Sequence, residues 1–230
     1  MVIDPFSIKK KYYRWYPLRV LFVAKSRFDD KWARLNFKRY NIPSKELIGL
    51  ASPPEFDQRQ TAVSPKLMQY LIAALKHTEH MGNAVVVEVG SYKGETTRCL
   101  AQSTNRKVIA VDPYFGYGAT EETCKIFRNN VVDCNNVSHL KKTSGDAWRN
   151  WPFGSISFVF IDVLHDYANV SFDIDAWSQK LITGGLLALH DTANSGFAGS
   201  RRAAYYALRR FELWANPGNL VILQKSQRDA

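Results

Sequence analysis

The alternation of apolar and polar positions becomes regular at about residue 61. Ser64-Pro65 can cap and open a helix, and Leu67, Leu71, Ala74 and Leu75 give it one apolar face until Gly82-Asn83 breaks it. AVVVEVG follows, a short β-branched run of the kind buried on both faces of a sheet. GETTRCLAQS reads as a helix, KVIAVDP as a second strand, and residues 120–130 as another helix. VSHLKK is a weak third strand and SISFVFID a strong fourth. YANVSFDIDAWSQKLI is expected to be an amphipathic helix, Thr183-Gly184-Gly185 a turn, and LLALHD a fifth strand. SRRAAYYALRR reads as a basic helix, and FELWA and NLVILQK as strands paired in a hairpin around Pro217-Gly218.

Strands alternating with helices predict an α/β fold. The expectation is a Rossmann-like, doubly wound, mostly parallel sheet of seven strands with an antiparallel C-terminal hairpin. Two units are expected: residues 1–60 as an N-terminal extension of weak periodicity, acting as lid, oligomerisation or surface-binding segment, and residues 61–230 as the main domain. No repeat or low-complexity segment interrupts this order.

In an open parallel sheet, ligands bind beyond the carboxyl ends of the strands. Strands one, two, four and five each end in an acid, Glu88, Asp112, Asp162 and Asp191. One such acid is unremarkable, but four on one edge point to a site. The turn after strand one, Gly90-Ser91-Tyr92-Lys93-Gly94, lacks both phosphate-binding spacings: it is neither GxxxxGK[ST] nor GxGxxG. A carboxylate at Glu88 would also repel a pyrophosphate. The turn suits a ligand with a cationic or hydroxyl-rich face that still uses helix N-terminal amides for a carboxylate. S-adenosylmethionine combines an ammonium, a carboxylate and a ribose diol.

The chain carries a formal net charge of +10, and most of the excess lies in residues 1–60, interleaved with aromatics such as Trp15, Phe28 and Trp32. Such a segment either contacts anionic lipid, nucleic acid or a charged glycan, or packs its rings on the core and solvates its charges. Cys99, Cys124 and Cys134 are odd in number and form no CxxC pair, which argues against a disulfide scaffold or zinc finger. The opening residues do not read as a signal peptide, and no apolar run reaches the ~20 residues of a membrane span. The expected location is the cytoplasm, with peripheral contact to the inner membrane surface as an option, and homo-oligomerisation through the extension as another.

Glu-x-Gly-x-x-x-Gly after strand one, with an acid ending strand two, resembles the class I S-adenosylmethionine-dependent methyltransferases. EVGSYKGETTRCLA and FIDVLHDYANVSFDIDAWSQKLITGGLLALHD are similar to a bacterial subgroup that includes sugar and small-molecule O-methyltransferases. The likeness covers roughly residues 61–223. It implies that Glu88 and Gly90 line the methionine end of the cofactor, with Ser91 and Tyr92 in the same turn. It implies that Gly94 leaves room for the ligand, that Asp112 binds the ribose hydroxyls, and that Asp146 faces the adenine. Asp162 is counted among the cofactor residues as well. Asp146 also reads as an ordinary helix cap.

Asp162, His165, His190 and Asp191 would share one pocket if strands four and five are neighbours. His165 would act as general base, with Asp162 and His190 as further catalytic residues. Alternatively, Asp162 and Asp191 would hold Mg2+ or another divalent cation that lowers the acceptor's pKa. The catechol-type pattern has a further Asp or Asn after the strand-five acid, where this chain has Thr192; Asn194 is the nearest replacement. The expected function is methyl transfer from S-adenosylmethionine to a hydroxyl of a small molecule, sugar or glycan. The competing reading is a membrane-surface or nucleic-acid binding protein with a methyltransferase-like fold and no catalysis. An Asn/Asp-Pro-Pro-aromatic motif for amino methylation is absent, which disfavours nucleic acid as the acceptor.

Overall fold

The structure is a computed structural model that describes residues 4–5, 16–116 and 118–226. Seven strands form a single sheet: β1 (Val85–Val89), β2 (Val108–Val111), β3 (Val137–Leu140), β4 (Ile156–Ile161), β5 (Leu181–His190), β6 (Phe211–Ala215) and β7 (Leu220–Lys225). Their order is β3-β2-β1-β4-β5-β7-β6. The first five are parallel, and β7 runs antiparallel to both β5 and β6. The expected doubly wound sheet with its C-terminal hairpin is therefore present.

Period-two alternation assigns the strand residues to two separate cores. Val87, Ile109, Val159, Ile161, Leu187 and Leu189 pack on one face, with the fully buried Trp177. Val86, Val108, Phe158, Phe160, Leu186 and Ala188 pack on the other, with Leu71, Leu75 and Leu100. Burial on both faces is why β1 and β4 are apolar but for one residue each, Glu88 and Ser157.

The helices are α1 (Tyr16–Leu35), α2 (Pro65–His77), α3 (Glu95–Gln102), α4 (Glu121–Asn130), α5 (Ser144–Arg149), α6 (Tyr167–Ser178) and α7 (Ala198–Ala207). Their starts follow the local chemistry. The Ser64 hydroxyl accepts from Leu67 N–H ahead of Pro65, Thr120 forms a capping box with Thr123, and the Asp166 carboxylate accepts from Asn169 N–H.

Three element boundaries depart from the sequence reading. Helix α6 stops at Ser178, and Leu181–Ile182 already belong to β5. Thr183-Gly184-Gly185 is not a free turn. It is an irregularity inside β5, where the register to β4 shifts between Ile156 and Phe158 and Gly184 adopts φ 80°. The last helix begins at Ala198, ahead of the arginines. In the region of weak periodicity, residues 16–35 form a continuous helix.

The described part of residues 1–60 packs on the sheet-bearing core. Arg202 Nη1 on α7 donates to Asp29 Oδ1 of α1 at 3.0 Å, and Lys45 forms an antiparallel bridge with Asn216. No described helix is long and apolar enough to cross a membrane.

Candidate active site

The strand order reverses between β1 and β4. The chain steps outward from β1 to β2 and β3, then returns to place β4 on the other side of β1. A crevice at that switch point is where such sheets bind ligands. Gly90 stands at its floor with φ 95°, and a Cβ there would lie 2.0 Å from the backbone oxygen of Asp162. Only a residue without a side chain lets β1 and β4 close together at this level. Gly94 is constrained by a neighbouring helix. A Cβ there would meet the Phe127 ring at 2.6 Å, so this glycine makes room for helix α4.

Glu88 is 1% exposed and accepts a hydrogen bond from the Thr97 hydroxyl on α3. Burial pushes its pKa up to about 8; the Thr97 hydrogen bond opposes this, and the charges of Asp162 and Asp112 reinforce it. A buried acid in this state is stabilised in its ionised form by a cation brought alongside. Asp112 follows β2 and accepts from Tyr92 N–H at 3.0 Å and from Tyr114 N–H at 2.8 Å, one on each oxygen. Burial raises its pKa, and these two backbone donors work against the rise. Each oxygen retains acceptor capacity for a further hydroxyl. Ser91 is buried, with its Oγ 3.3 Å from the Tyr114 hydroxyl, while the Tyr92 ring is 41% exposed.

The ends of β4 and β5 bring the predicted quartet together. Asp162, His165 and Asp191 each offer a ligand atom within 4.8 Å of the others. His165 Nε2 lies 3.3 Å from Asp191 Oδ2, and the His165 ring stands 4.3 Å from the Phe197 ring, centroid to centroid. His190 is set behind them, with a side chain only 2% exposed against 22% for His165. Its Nδ1 hydrogen-bonds Asp162 Oδ1 at 3.3 Å and lies 3.7 Å from Asp191 Oδ2. Burial disfavours the charged ring, but the hydrogen bond to Asp162 and the charges of Asp162 and Asp191 outweigh it, so the His190 pKa is raised. Its Nε2 is buried without a hydrogen-bond partner.

Asn194 does not join this cluster. It is exposed, and its side chain accepts from Gly196 N–H at 2.7 Å. Asn219, from the β6–β7 turn, donates instead to Asp191 Oδ1 at 2.8 Å. Asp146 sits outside the strand-end group, on the first turn of α5. The cap of that helix is Thr143, whose hydroxyl donates to Asp146 at 2.8 Å while Arg149 pairs with its other oxygen at 2.7 Å.

Tyr92, Tyr114 and Asp191 are the non-glycine residues with positive φ among those described, at 45°, 53° and 55°. All three follow carboxyl ends of strands β1, β2 and β5. Backbone strain of about 1–3 kcal/mol per residue is retained where surrounding structure fixes a functional geometry. The strain falls on the same edge as the acids: Asp191 is one of them, and Tyr92 and Tyr114 donate to Asp112.

Thr97, Tyr114, Phe197 and Asn219 were not foreseen as parts of the site. Thr97 carried a weak signal, since the third position of a helix that follows a strand-end acid can turn back onto it. Asn219 carried none, because sheet topology alone sets it beside Asp191.

The donor set fits the parts of S-adenosylmethionine. A buried acid awaits a cationic neighbour, a strand-end carboxylate retains capacity for a diol, and the crevice between them is lined by backbone at Gly90. Two carboxylates and an imidazole within 4.8 Å also fit a divalent cation.

Residues 87–192 match the family described as "Methyltransferase domain". No curated protein matches the chain by sequence. Among solved structures, the O-methyltransferase NovP is similar at 17% identity and TM-score 0.59, over 73% of this chain and 83% of that one. The Bacillus cereus O-methyltransferase in complex with SAH gives 18% and 0.54, over 73% and 85%. CalS11, a TDP-rhamnose 3'-O-methyltransferase of calicheamicin biosynthesis, gives 16% and 0.55, over 70% and 81%. At these identities the likeness is one of fold.

Proposed function

We propose that this chain, whose residues 87–192 match a methyltransferase-domain family, transfers a methyl group from S-adenosylmethionine to a hydroxyl of a small molecule or sugar. The observation that carries this reading is the placement of Glu88 and Asp112 on adjacent strand ends, flanking the Gly90 crevice and facing Asp162 across the switch point. Structural neighbours whose names specify O-methylation, one of them on a TDP-sugar, support oxygen as the acceptor atom.

S-adenosylmethionine supplies an electrophilic methyl on a sulfonium. Glu88 places negative charge potential at the cationic end, and Asp112 accepts from the ribose hydroxyls. Asp162 and His165 would flank the acceptor oxygen at the strand-four end. His165 is oriented by Asp191 at its Nε2, which would leave Nδ1 free to take the proton of the acceptor hydroxyl; S-adenosylmethionine, when bound, would supply the methyl group and leave as S-adenosylhomocysteine. His190 is a positioning residue, holding Asp162 from behind.

A second reading rests on the clustering of Asp162, His165 and Asp191. These three would hold a divalent cation, which would act as a Lewis acid toward the acceptor oxygen. Titration calorimetry with S-adenosylmethionine and S-adenosylhomocysteine tests the cofactor assignment. Absence of binding by the folded chain, or wild-type affinity in Asp112→Ala, would remove it.

A further inference from the structure

Helix α1 divides its side chains by charge. Its two acids point inward. Asp29 is buried and held by Lys25 and by Arg202 of α7, and Asp30 accepts from Tyr167 N–H at 3.0 Å. Its cations Arg27, Lys31 and Arg34 are exposed, as are Lys38 and Arg39 just beyond its end. The same outward surface carries large apolar side chains. Val20, Leu21, Phe28, Trp32 and Leu35 are 47%, 65%, 63%, 44% and 74% exposed. Leu21, Phe28, Trp32 and Leu35 repeat at helical spacing, and the rings of Phe28 and Trp32 stack with centroids 6.1 Å apart. The inner face already packs on α6 and α7, with Ala33 fully buried. The outer stripe is therefore a second apolar face, rimmed by positive charge.

We propose that this outward face of α1 docks the protein on an anionic lipid bilayer, with the helix lying in the plane of the interface. Leu21, Phe28, Trp32 and Leu35 enter the headgroup–acyl boundary, and Arg27, Lys31 and Arg34 meet the phosphates. Charge selects this occupant over the alternatives. A second copy docked through the same face would set these cations against their own duplicates. Residues 6–15 bring Lys9, Lys10, Lys11 and Arg14 with no acid, so as a cover they carry the same sign. A nucleic acid would satisfy the cations but leave Leu21 and Leu35 unburied. Only a surface that is anionic above and apolar below satisfies both parts of the face. The docking helix is tied to the active site through Asp30 and Tyr167, two residues beyond His165. The inference goes beyond the methyl-transfer reading and does not depend on it.

The experiment is co-sedimentation of the full chain with vesicles of phosphatidylcholine alone and of phosphatidylcholine with phosphatidylglycerol, at low salt and at roughly 0.5 M, where surface charges are screened. The expected result is binding to the anionic vesicles at low salt and at least a tenfold loss on neutral vesicles or in high salt. Each cation near such a surface contributes roughly a fivefold gain in partitioning. The triple variant Arg27→Gln, Lys31→Gln, Arg34→Gln is therefore expected to lose on the order of a hundredfold, and Phe28→Ser with Trp32→Ser at least tenfold. All five positions are exposed, and circular dichroism with cofactor calorimetry reports folding separately from docking. The proposal is overturned by no binding, by equal binding to neutral vesicles, or by variants that bind as wild type. Light scattering that shows a dimer lost in the Phe28→Ser, Trp32→Ser variant, or tighter binding to duplex RNA or DNA than to anionic vesicles, overturns it too.

Discussion

Nε2 of His165 stands 3.3 Å from Oδ2 of Asp191, joining the loop after β4 to the end of β5. A base must be held in one ring orientation to accept a proton in the transition state, and a neighbouring carboxylate does this. His165→Ala is expected to lower kcat by about 10²–10⁴-fold, the usual contribution of a general base. S-adenosylhomocysteine affinity should stay within about twofold if the cofactor is held, as proposed, by Glu88 and Asp112 at the ends of β1 and β2. Steady-state kinetics and calorimetry on the same preparation check both; unchanged turnover removes His165 as the base.

Chelation separates the two readings of the Asp162–His165–Asp191 cluster. With His165 as base, turnover survives exhaustive treatment with a chelator. Loss of turnover that Mg2+ or Mn2+ restores assigns the cluster to a divalent cation instead, and Asp162→Asn and Asp191→Asn should then weaken the restored activity by about 10-fold or more.

Glu88 and Asp173 predict the pH dependence of stability. Burial raises Glu88 from 4.5 to about 8 and Asp173 from 3.8 to about 7, with the Ser144 hydroxyl bonded to the latter. Across these windows the native chain holds protons that the unfolded chain has released. Stability is therefore full at the acidic end and declines as pH rises toward 8. The melting temperature should fall from pH 5 to pH 8, and Glu88→Gln, neutral throughout, should flatten that fall. A cationic ligand beside Glu88 favours its ionised form, so binding of S-adenosylmethionine at pH 7 should release a proton. Calorimetry in buffers of different ionisation enthalpy detects it.

The fold and half of the site were legible because their causes are local. Strand β2 is a continuous apolar run, and β1 and β4 are apolar but for Glu88 and Ser157, so Glu88, Asp112 and Asp162 lie within or next to the runs that place them. The β5 boundary was not legible. Gly184-Gly185 looks like a turn, yet a Cβ at Gly185 would come within 2.9 Å of Ser157 O on the neighbouring strand, so close packing, not chain reversal, requires it. The same holds for Gly94, whose constraint is Phe127 on a different helix. Asn219 and Phe197 join the site through tertiary contacts that no spacing encodes. Helix α1 was obscured because apolar side chains occupy both its faces and blur the single stripe that reveals a helix.

Gly90 offers a direct test of the crevice. Gly90→Ala combines a strained φ with a 2.0 Å approach to Asp162 O, whereas Gly49→Ala meets a similar φ of 69° with nothing within 4 Å. The Gly49 variant should lose about 1–2 kcal/mol, the cost of a left-handed alanine. The Gly90 variant should lose clearly more, and cofactor binding with it, because β1 and β4 must separate at the switch point. Urea denaturation of the pair, side by side, reads the difference.

Arg106 stands between α3 and β2 and is only 8% exposed. Its guanidinium donates to Leu75 O at 2.7 Å, Thr78 O at 3.0 Å and Ser157 Oγ at 2.6 Å, closing the end of α2 against β4. Burial lowers its pKa, and the charge of Glu79 only partly offsets that. Both carbonyls lie at the C-terminal end of α2 and also accept elsewhere, Leu75 O from the Thr78 hydroxyl at 2.9 Å and Thr78 O from Met81 N–H at 3.1 Å, so the guanidinium supplies each with a second, charged donor. Arg106→Met keeps the apolar stem and removes these charged hydrogen bonds while leaving each carbonyl one donor, so it is expected to cost about 1.5–3 kcal/mol, the range for hydrogen bonds to a charged group. Arg106→Lys should recover only part of this, since one ammonium cannot reproduce the planar fork that spans three acceptors. Equal stability of the wild type and Arg106→Met in urea would show that the Thr78 hydroxyl and Met81 N–H suffice for the helix end and that the guanidinium is not what holds α2 to the sheet.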